Sequence, residues 1–406
     1  MTTEEIIVVG GGAAGFFAAI QLAQSRPKAR VTILERGKAV LEKVRVSGGG
    51  RCNVTHACWT PRELVKHYPR GSKELLSPFN RFACGDTMGW FEDQGVSLKI
   101  EEDGRIFPTS DDSATIIDCL WQAAKKLGVR VITRCRVDAI ERPDSPMAKE
   151  WLVKAGDRPF PADRLVVTSG SNPAVWKLLA KLGLALIPPV PSLFAFNIPD
   201  KQLHALSGTS LSWAAVNISG EQLQAEGPLL ITHKGFSGPA ILRLSAWGAR
   251  QLAPLQYRFQ LSINWLAKRA QEVDQELLQL SQQLHKQQLG SHGQLGLSQR
   301  LWRYLLGKAK ISPTTRWAEL SKKNRRKLAE VLTNCPYRVD GKATNKEEFV
   351  TAGGVDLKEV DFKNFTAKQY PTLHLAGEVL DIDAITGGFN FQAAWTGGWV
   401  IGQAIS

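Results

Sequence analysis

Apolar residues enter the chain as an unbroken β-branched run, Ile6-Ile7-Val8-Val9. A short β-branched run of this kind predicts a strand. The next stretch, 12–24, is apolar and predicts a helix. Pro27 punctuates the link to a second strand at 31–34. Residues 61–95 read mostly helical. Over 113–127 the apolar positions Ile116, Ile117, Leu120, Ala124 and Leu127 share one face, which predicts a helix with Ser113 as its N-cap. Strands are expected at 129–133, 136–140 and 165–168. This part of the chain thus alternates strand and helix.

The pattern changes at Pro188, Pro189 and Pro191, where fixed φ and missing donors mark a boundary. Short strands with turns at 194–198, 211–218, 229–232 and 256–263 predict a small β-domain. From 266 to 334 the sequence turns helical and rich in Gln, Leu, Lys and Arg, with a glycine-containing break at 290–296. A strand at 372–376 and a closing helix at 391–405 restore the opening character. The simplest architecture is one domain, 1–190 and 346–406, that is interrupted and then resumes. The interruptions are a β-domain, 191–265 and 335–345, and a helical domain, 266–334.

Chemistry enters at the first turn. Gly10, Gly12 and Gly15 stand at G-x-G-x-x-G spacing between the first strand and the first helix. Gly10 suits the tight turn, Gly12 the approach of a pyrophosphate, and Gly15 close packing of helix on strand. The helix aims its free N–H groups and positive dipole end at the phosphates. Glu35, about twenty residues on, ends the second strand and suits the ribose hydroxyls of an adenine dinucleotide. Two more glycine strings follow. In Ser47-Gly48-Gly49-Gly50-Arg51-Cys52-Asn53, Arg51 can neutralise a phosphate and Asn53 can donate and accept. In 373–390, a buried strand ends in Gly377-Glu378, and Gly387-Gly388 let backbone pass close to a flat ring. Glu378 suits a ribityl chain, or else a helix cap or ion pair. The last helix would aim its N-terminus at that ring, favouring the negative charge of a reduced flavin.

Composition narrows the class. The chain has 406 residues, 43% hydrophobic and 22% charged, as in an ordinary globular protein. No uninterrupted apolar run is long enough for a membrane span, and a basic leader with a cleavage site is lacking, so the cytoplasm is the expected location. Six cysteines form no C-x-x-C pair and seven histidines show no metal-binding spacing, so no metal is expected. Net charge is +13 and uneven: 264–346 holds 16 Lys plus Arg against 6 Asp plus Glu. Polyanion binding is one reason for such a surplus.

These strings, with Gly104-Arg105-Ile106-Phe107-Pro108 and 232–240 (T-H-K-G-F-S-G-P-A), resemble the HI0933-like (YhiN/BaiN-type) flavoprotein family, in family order over nearly the whole chain. The resemblance implies an α/β fold: a discontinuous Rossmann-like FAD-binding domain with an inserted β-barrel-like domain and an inserted helical domain. It implies FAD contacts at Gly10, Gly12, Ala14, Gly15, Glu35, Arg36, Ser47, Gly49, Arg51, Cys52, Asn53, Val137, Gly170, Gly377, Glu378, Gly387, Gly388, Phe389 and Asn390. One departure stands out. Thr168-Ser169-Gly170-Ser171-Asn172-Pro173 keeps the family's strand-end turn, but the T-G-x-x-G-D-G loop that usually follows is missing. No second strand–G-x-G-x-x-G–helix unit exists, so NAD(P)H is expected at most as a transient electron donor.

Two residues are candidates for chemistry beside the flavin. His233 is an acid–base group that works near neutral pH, or else a hydrogen-bonded structural histidine. Cys52 neighbours Arg51, and a cation lowers a thiol pKa; it protonates a substrate carbon or simply packs. Asp381 and Asp383 are read as braces for the loop over the flavin. For the substrate, Lys308, Lys310, Arg316, Lys322, Lys323, Arg325, Arg326 and Lys327, with Arg300, Trp302, Arg303 and Tyr304 before them, suit phosphate contacts and base stacking. The resemblance implies reduction of uridine to dihydrouridine in ribosomal RNA. A small amine or unsaturated carbonyl substrate, and a non-catalytic ribosome-associated factor, are the alternatives.

Overall fold

In the computed structural model of the protein, the described residues are 3–144, 149–343 and 350–404. They fall into two compact units. One comprises the described residues up to Val190 together with those from Val350 onward; the other lies between Pro191 and Ala343. The domain boundary expected at 345 and 346, and the helix end expected at 405, lie outside the described residues.

The first unit is built on a seven-stranded sheet. Its parallel part runs Tyr370–Leu375, Arg164–Val167, Glu5–Val9, Arg30–Leu34, Arg130–Ile132. Ile6, Ile7, Val8 and Val9 are all buried. The Ala13–Ser25 helix and the Phe389–Ala404 helix pack on each other unusually closely. A methyl group on Gly398 would stand 2.8 Å from the Ala18 nitrogen, and one on Gly402 would stand 2.2 Å from Gln21 Cβ. Only glycine permits that approach. The last helix is also pinned by polar groups: Trp395 Nε1 donates to the Val54 carbonyl at 3.0 Å and the Thr396 hydroxyl to the Phe82 carbonyl at 2.9 Å.

Three local expectations are corrected. The helix at Ser113–Lys126 is capped by Asp112, whose carboxylate accepts from Ala114 N at 2.8 Å, while the Ser113 hydroxyl donates to the Arg45 carbonyl. The strand expected at 136–140 is only Ala139–Glu141. It joins an antiparallel hairpin, Trp151–Ala155 and Arg158–Ala162, that the prolines at 159 and 161 concealed. Edge strands tolerate proline, because one side needs no donor. Finally, the expected β-domain also contains a helix, Pro239–Trp247.

The second unit holds another seven-stranded sheet, ordered Cys335–Asp340, Arg258–Asn264, Ser210–Ile218, Gln224–Thr232, Gly235–Ser237, Ala195–Asn197, Lys342–Ala343. Its two edge strands are consecutive in the chain, with Gly341 alone between them. The sheet therefore curls until its edges meet, as a barrel does. The helices Ala270–Gln283, Gln299–Lys308 and Lys322–Thr333 share one core with it, from Phe196 and Phe236 through Trp265 to Trp302, Trp317 and Leu328.

One buried group makes the first unit sensitive to acid. His374 is 2% exposed, with Nδ1 3.2 Å from the Thr366 hydroxyl and 3.3 Å from the Asn364 carbonyl. Burial lowers its pKa from 6.5 to about 4. Above pH 6.5 the ring is neutral in both states and stability is unaffected. Below it the unfolded chain takes up the proton first, so stability falls by about 3 kcal/mol by pH 4. Urea unfolding across this range should show that loss, and the His374→Asn protein should show a flatter pH profile. Equal slopes for the two proteins remove His374 as the cause.

Candidate active site

The glycine turn lies at the middle of the first sheet's carboxyl edge. The Glu5–Val9 strand sits between Arg30–Leu34 and Arg164–Val167, and the connections from it diverge there. Such a switch point leaves a crevice outside the strand ends. Gly10, Glu35, Thr168 and Ala376 follow directly on the last residues of four adjacent strands, so the first and third glycine strings and the turn at Thr168 are brought to one edge.

The first three glycines differ in what surrounds them. A methyl group on Gly15 would lie 2.0 Å from the Gly10 carbonyl oxygen, and one on Gly10 would lie 2.5 Å from the Thr168 carbonyl oxygen. On Gly12 it would meet no protein atom within 4 Å. The fold itself accounts for Gly10 and Gly15. The bare backbone at Gly12, at the N-cap of the Ala13–Ser25 helix, fits a pyrophosphate approaching from outside. Ala14, Gly170, Gly377 and Glu378 lie near this point: a methyl on Gly377 would stand 3.2 Å from Ala14 Cβ, and one on Gly170 3.6 Å from Glu378 Oε2. Glu378 forms an ion pair with Lys43.

Glu35 shapes its own turn. The Gly11 amide donates to Oε2 at 2.8 Å and the Gly37 amide to Oε1 at 2.6 Å. Each oxygen keeps a further lone pair for a ribose hydroxyl. The Cys135 amide donates to the Glu35 carbonyl at 2.8 Å, which lays the segment leading to buried Val137 alongside. Arg36 is exposed.

The second string departs from expectation at Cys52. Arg51 is committed within the chain: its guanidinium donates to Glu101 at 2.6 Å and to Asp111 at 3.4 Å, and lies 3.9 Å over the Phe107 ring. The expectation that it lowers the Cys52 pKa is corrected. Cys52 is fully buried, and burial pushes its thiol up to about 12. It stays a protonated thiol at neutral pH. The Ser47 hydroxyl donates to the Val44 carbonyl at 2.9 Å, fixing the start of the Ser47–Gly50 turn, and Gly49 faces open space. Asn53, with its amide oriented to satisfy both partners, donates to the Thr55 carbonyl and accepts from Gly388 N, each at 3.0 Å. That side chain ties the second string to the third.

The third string is held from several sides. Asn390 accepts from Ala384 N at 3.0 Å and donates to the Ala384 carbonyl at 3.1 Å, closing the loop that carries Gly387. Asp383, with a fully buried side chain, forms a two-pronged ion pair with Arg70, so it braces the loop as expected. The Phe389 ring stacks against both His56 and His67, with centroids 4.6 and 4.1 Å away, and the two imidazoles lie 6.1 Å from each other. The His56 Nε2 lies 3.1 Å from the Asp103 carbonyl, Nδ1 is buried without a partner, and burial lowers the pKa of the ring. Sequence reasoning missed Lys43, His56, His67 and Arg70; Lys43 and His56 lie close to the Ser47 string, while His67 and Arg70 carry no local signal.

In the second unit, His233 is exposed in the turn between Gln224–Thr232 and Gly235–Ser237. The expected stacking aromatics are corrected. The amphipathic Gln299–Lys308 helix turns Trp302 and Tyr304 into the core, where Trp302 donates to the Leu289 carbonyl at 2.7 Å and stacks on Trp317. Arg303 donates to the Gly290 carbonyl at 2.7 Å and Arg300 to the Ala205 carbonyl. Arg325 pairs with Asp274 at 2.9 Å. Lys322, Lys323, Arg326 and Lys327 remain exposed on the Lys322–Thr333 helix. Two aromatics that the sequence did not single out are exposed instead: Trp213 (53%) and Trp247 (44%). Trp213 sits where the Ser210–Ile218 strand bulges, which breaks the alternation that would have revealed it.

Among the described residues, no three His, Cys, Asp or Glu side chains form a metal-binding group, and no helix is long and apolar enough to cross a membrane.

Comparison with known proteins points the same way as the crevice. The model of the HI0933-like protein Rossmann domain matches residues 4–404. The chain is 28% identical over 412 residues to a ribosomal RNA dihydrouridine synthase of Haemophilus influenzae, covering 99% of this chain and 98% of that protein. It is 27% identical over 405 residues to a 3-dehydro-bile acid delta(4,6)-reductase of Clostridium scindens, covering 97% and 96%. Among solved structures, the fold is similar to a 3-ketosteroid delta1-dehydrogenase of Sterolibacterium denitrificans, with TM-score 0.51, 10% identity and coverage of 100% and 99%.

Proposed function

Because the chain belongs to the HI0933-like family and is an FAD-dependent oxidoreductase, we propose that it reduces uridine to dihydrouridine in ribosomal RNA. The observation that carries this reading is the run of exposed cations Lys322, Lys323, Arg326 and Lys327 on one helix of the second unit. A surface of this kind suits a phosphate backbone. Exposed Trp213 and Trp247 on the same unit suit unstacked bases. The two relatives named as ribosomal RNA dihydrouridine synthases add support.

When bound, FAD in its reduced form supplies the hydride for the C5–C6 double bond of the uracil ring. The protein's own tasks are to admit a base that has left its stack and to supply a proton to the other carbon. His233 is the proposed donor; Cys52, buried and held protonated to about 12, is a poor one. NAD(P)H is proposed to recharge the flavin by transient binding. The Clostridium scindens relative, equally similar, favours a second reading in which the double bond belongs to a small unsaturated carbonyl compound.

The test is to map dihydrouridine in ribosomal RNA from cells with and without this protein. In vitro, glutamate at Lys322, Lys323, Arg326 and Lys327 together is expected to weaken binding to ribosomal RNA fragments by roughly tenfold or more at low salt. Binding indifferent to salt and to this change sinks the RNA reading, and turnover of a small substrate unaffected by it supports the second. A His233→Ala protein with undiminished turnover removes His233 as the proton donor.

A further inference from the structure

The second unit contains a cleft of about 310 Å³ whose walls include Asp200, Lys201, Gln202, Lys308, Tyr337 and Arg338. Three of these side chains are cations and one is an acid. The acid is already saturated. Asp200 Oδ1 accepts from the Gln202 and Leu203 amides at 3.0 and 3.1 Å, and Oδ2 accepts from the Tyr304 hydroxyl at 2.9 Å and meets Lys308 Nζ at 3.1 Å. Those four partners fix the carboxylate and, through it, aim the ammonium.

Lys308 is held further by two aromatic faces, 4.9 Å from the Tyr337 ring centroid and 5.5 Å from that of Tyr304. Its side chain is still 33% exposed. A lysine immobilised in this way loses little freedom when it meets an anion. Arg338 belongs to the Cys335–Asp340 strand, whose strict alternation turns it to the exposed face. The nearest acid on that strand, Asp340, is paired with Arg258 at 3.0 Å. Gln260 stands opposite Arg338 in the ladder and adds no charge. Among the described residues, neither Lys201 nor Arg338 has a carboxylate partner. The cleft therefore keeps a surplus of positive charge that no described residue neutralises.

We propose that this cleft seats a phosphate group, with Lys308 as a fixed point charge at its base and Arg338 and Lys201 closing on it from the rim. A guanidinium fork and an ammonium together match the tetrahedral oxygens of a phosphate better than a planar carboxylate. The Lys322–Thr333 helix, with its exposed cations, packs against the same Cys335–Asp340 strand. On the RNA reading above, on which this identification of the source rests, the phosphate belongs to the RNA strand that runs past that helix. The alternative source is a free phosphate or nucleotide.

The experiment uses the FAD-loaded full chain and the double variant Lys201→Ala/Arg338→Ala, which leaves Lys308 and its buried partners in place. Anisotropy of a labelled single-stranded uridine-rich RNA is followed over a salt series, and melting temperature is followed with inorganic pyrophosphate. The double variant is expected to bind RNA about three- to tenfold more weakly, with the salt slope shallower by about 0.7, the contribution of one single-strand phosphate. Pyrophosphate should raise the melting temperature of the parent protein and not of the variant. Lys181→Ala, on the first unit, should behave as the parent does. If the variant binds RNA with unchanged affinity and slope and responds equally to pyrophosphate, the phosphate seat is overturned while the RNA reading stands. If pyrophosphate distinguishes the two proteins but neither binds RNA, the seat holds, its ligand is a free phosphate compound, and the RNA reading fails.

Discussion

Replacing Gly12 by valine is expected to give a folded protein that purifies without FAD. The reason is local. At Gly12 the backbone has φ −90° and ψ −168°, an extended conformation that valine adopts readily. A methyl there touches no protein atom within 4 Å, so the fold has no objection to it. Its branches would occupy the space through which a pyrophosphate reaches the N–H groups of the Ala13–Ser25 helix. A loss of tenfold or more in FAD affinity, about 1.4 kcal/mol, is expected, with the melting temperature of the apoprotein unchanged. The flavin-to-protein absorbance ratio after gel filtration reads the first quantity and thermal denaturation the second. Gly15→Val is the contrasting variant. Its first carbon would lie 2.0 Å from the Gly10 carbonyl oxygen, so it should fail to fold, with or without flavin. Full flavin occupancy in the Gly12→Val protein would mean that the pyrophosphate does not cross this turn.

The second large effect concerns Arg70 and Asp383. Both are buried, with side chains 9% and 0% exposed, and they meet as a two-pronged ion pair that joins the segment at 70 to the loop before Gly387. Removing one partner strands the other charge out of water. Arg70→Ala should therefore cost about 3–5 kcal/mol in chemical denaturation. Replacing both, as Arg70→Met with Asp383→Leu, should return much of that stability, because the desolvation cost disappears with the charges. The double variant is nevertheless expected to lose flavin, since the loop that Asn53 and Asn390 also hold would lose its brace. A double variant as unstable as the single one would mean that the pair's shape, rather than its charge, supports the loop.

The first turn and its strands were legible because their signals are local. A β-branched run, a glycine spacing and an acid after the second strand all lie within 35 residues. Side-chain roles set by distant partners were not legible. Arg51 sits in a glycine string, and nothing local announces its pairing with Glu101 and Asp111 from across the unit. Cys52 reads as an activated thiol beside a cation, yet it is fully buried and burial pushes its pKa up. The helix cap shifted by one residue because Asp112 and Ser113 both qualify, and only Arg45, 68 residues away in the chain, claims the serine hydroxyl. In the helical insert, composition suggested aromatics for base stacking. The helical period, applied to 299–308, would have shown Trp302 and Tyr304 on the apolar stripe with Leu301 and Leu305.

The pairing of the Ala13–Ser25 helix with the Phe389–Ala404 helix has a consequence for how the protein comes into being on the ribosome. The strand Tyr370–Leu375 and the helix whose Gly398 and Gly402 seat the Ala13–Ser25 helix emerge hundreds of residues after it. Domains fold as units while a chain is being synthesised. The inserted unit, continuous in sequence, can therefore mature on the nascent chain while the halves of the flavin crevice still await each other. Cofactor loading then becomes a late event, and a nascent chain stalled before Phe389 holds its first helix without the glycine face that packs on it.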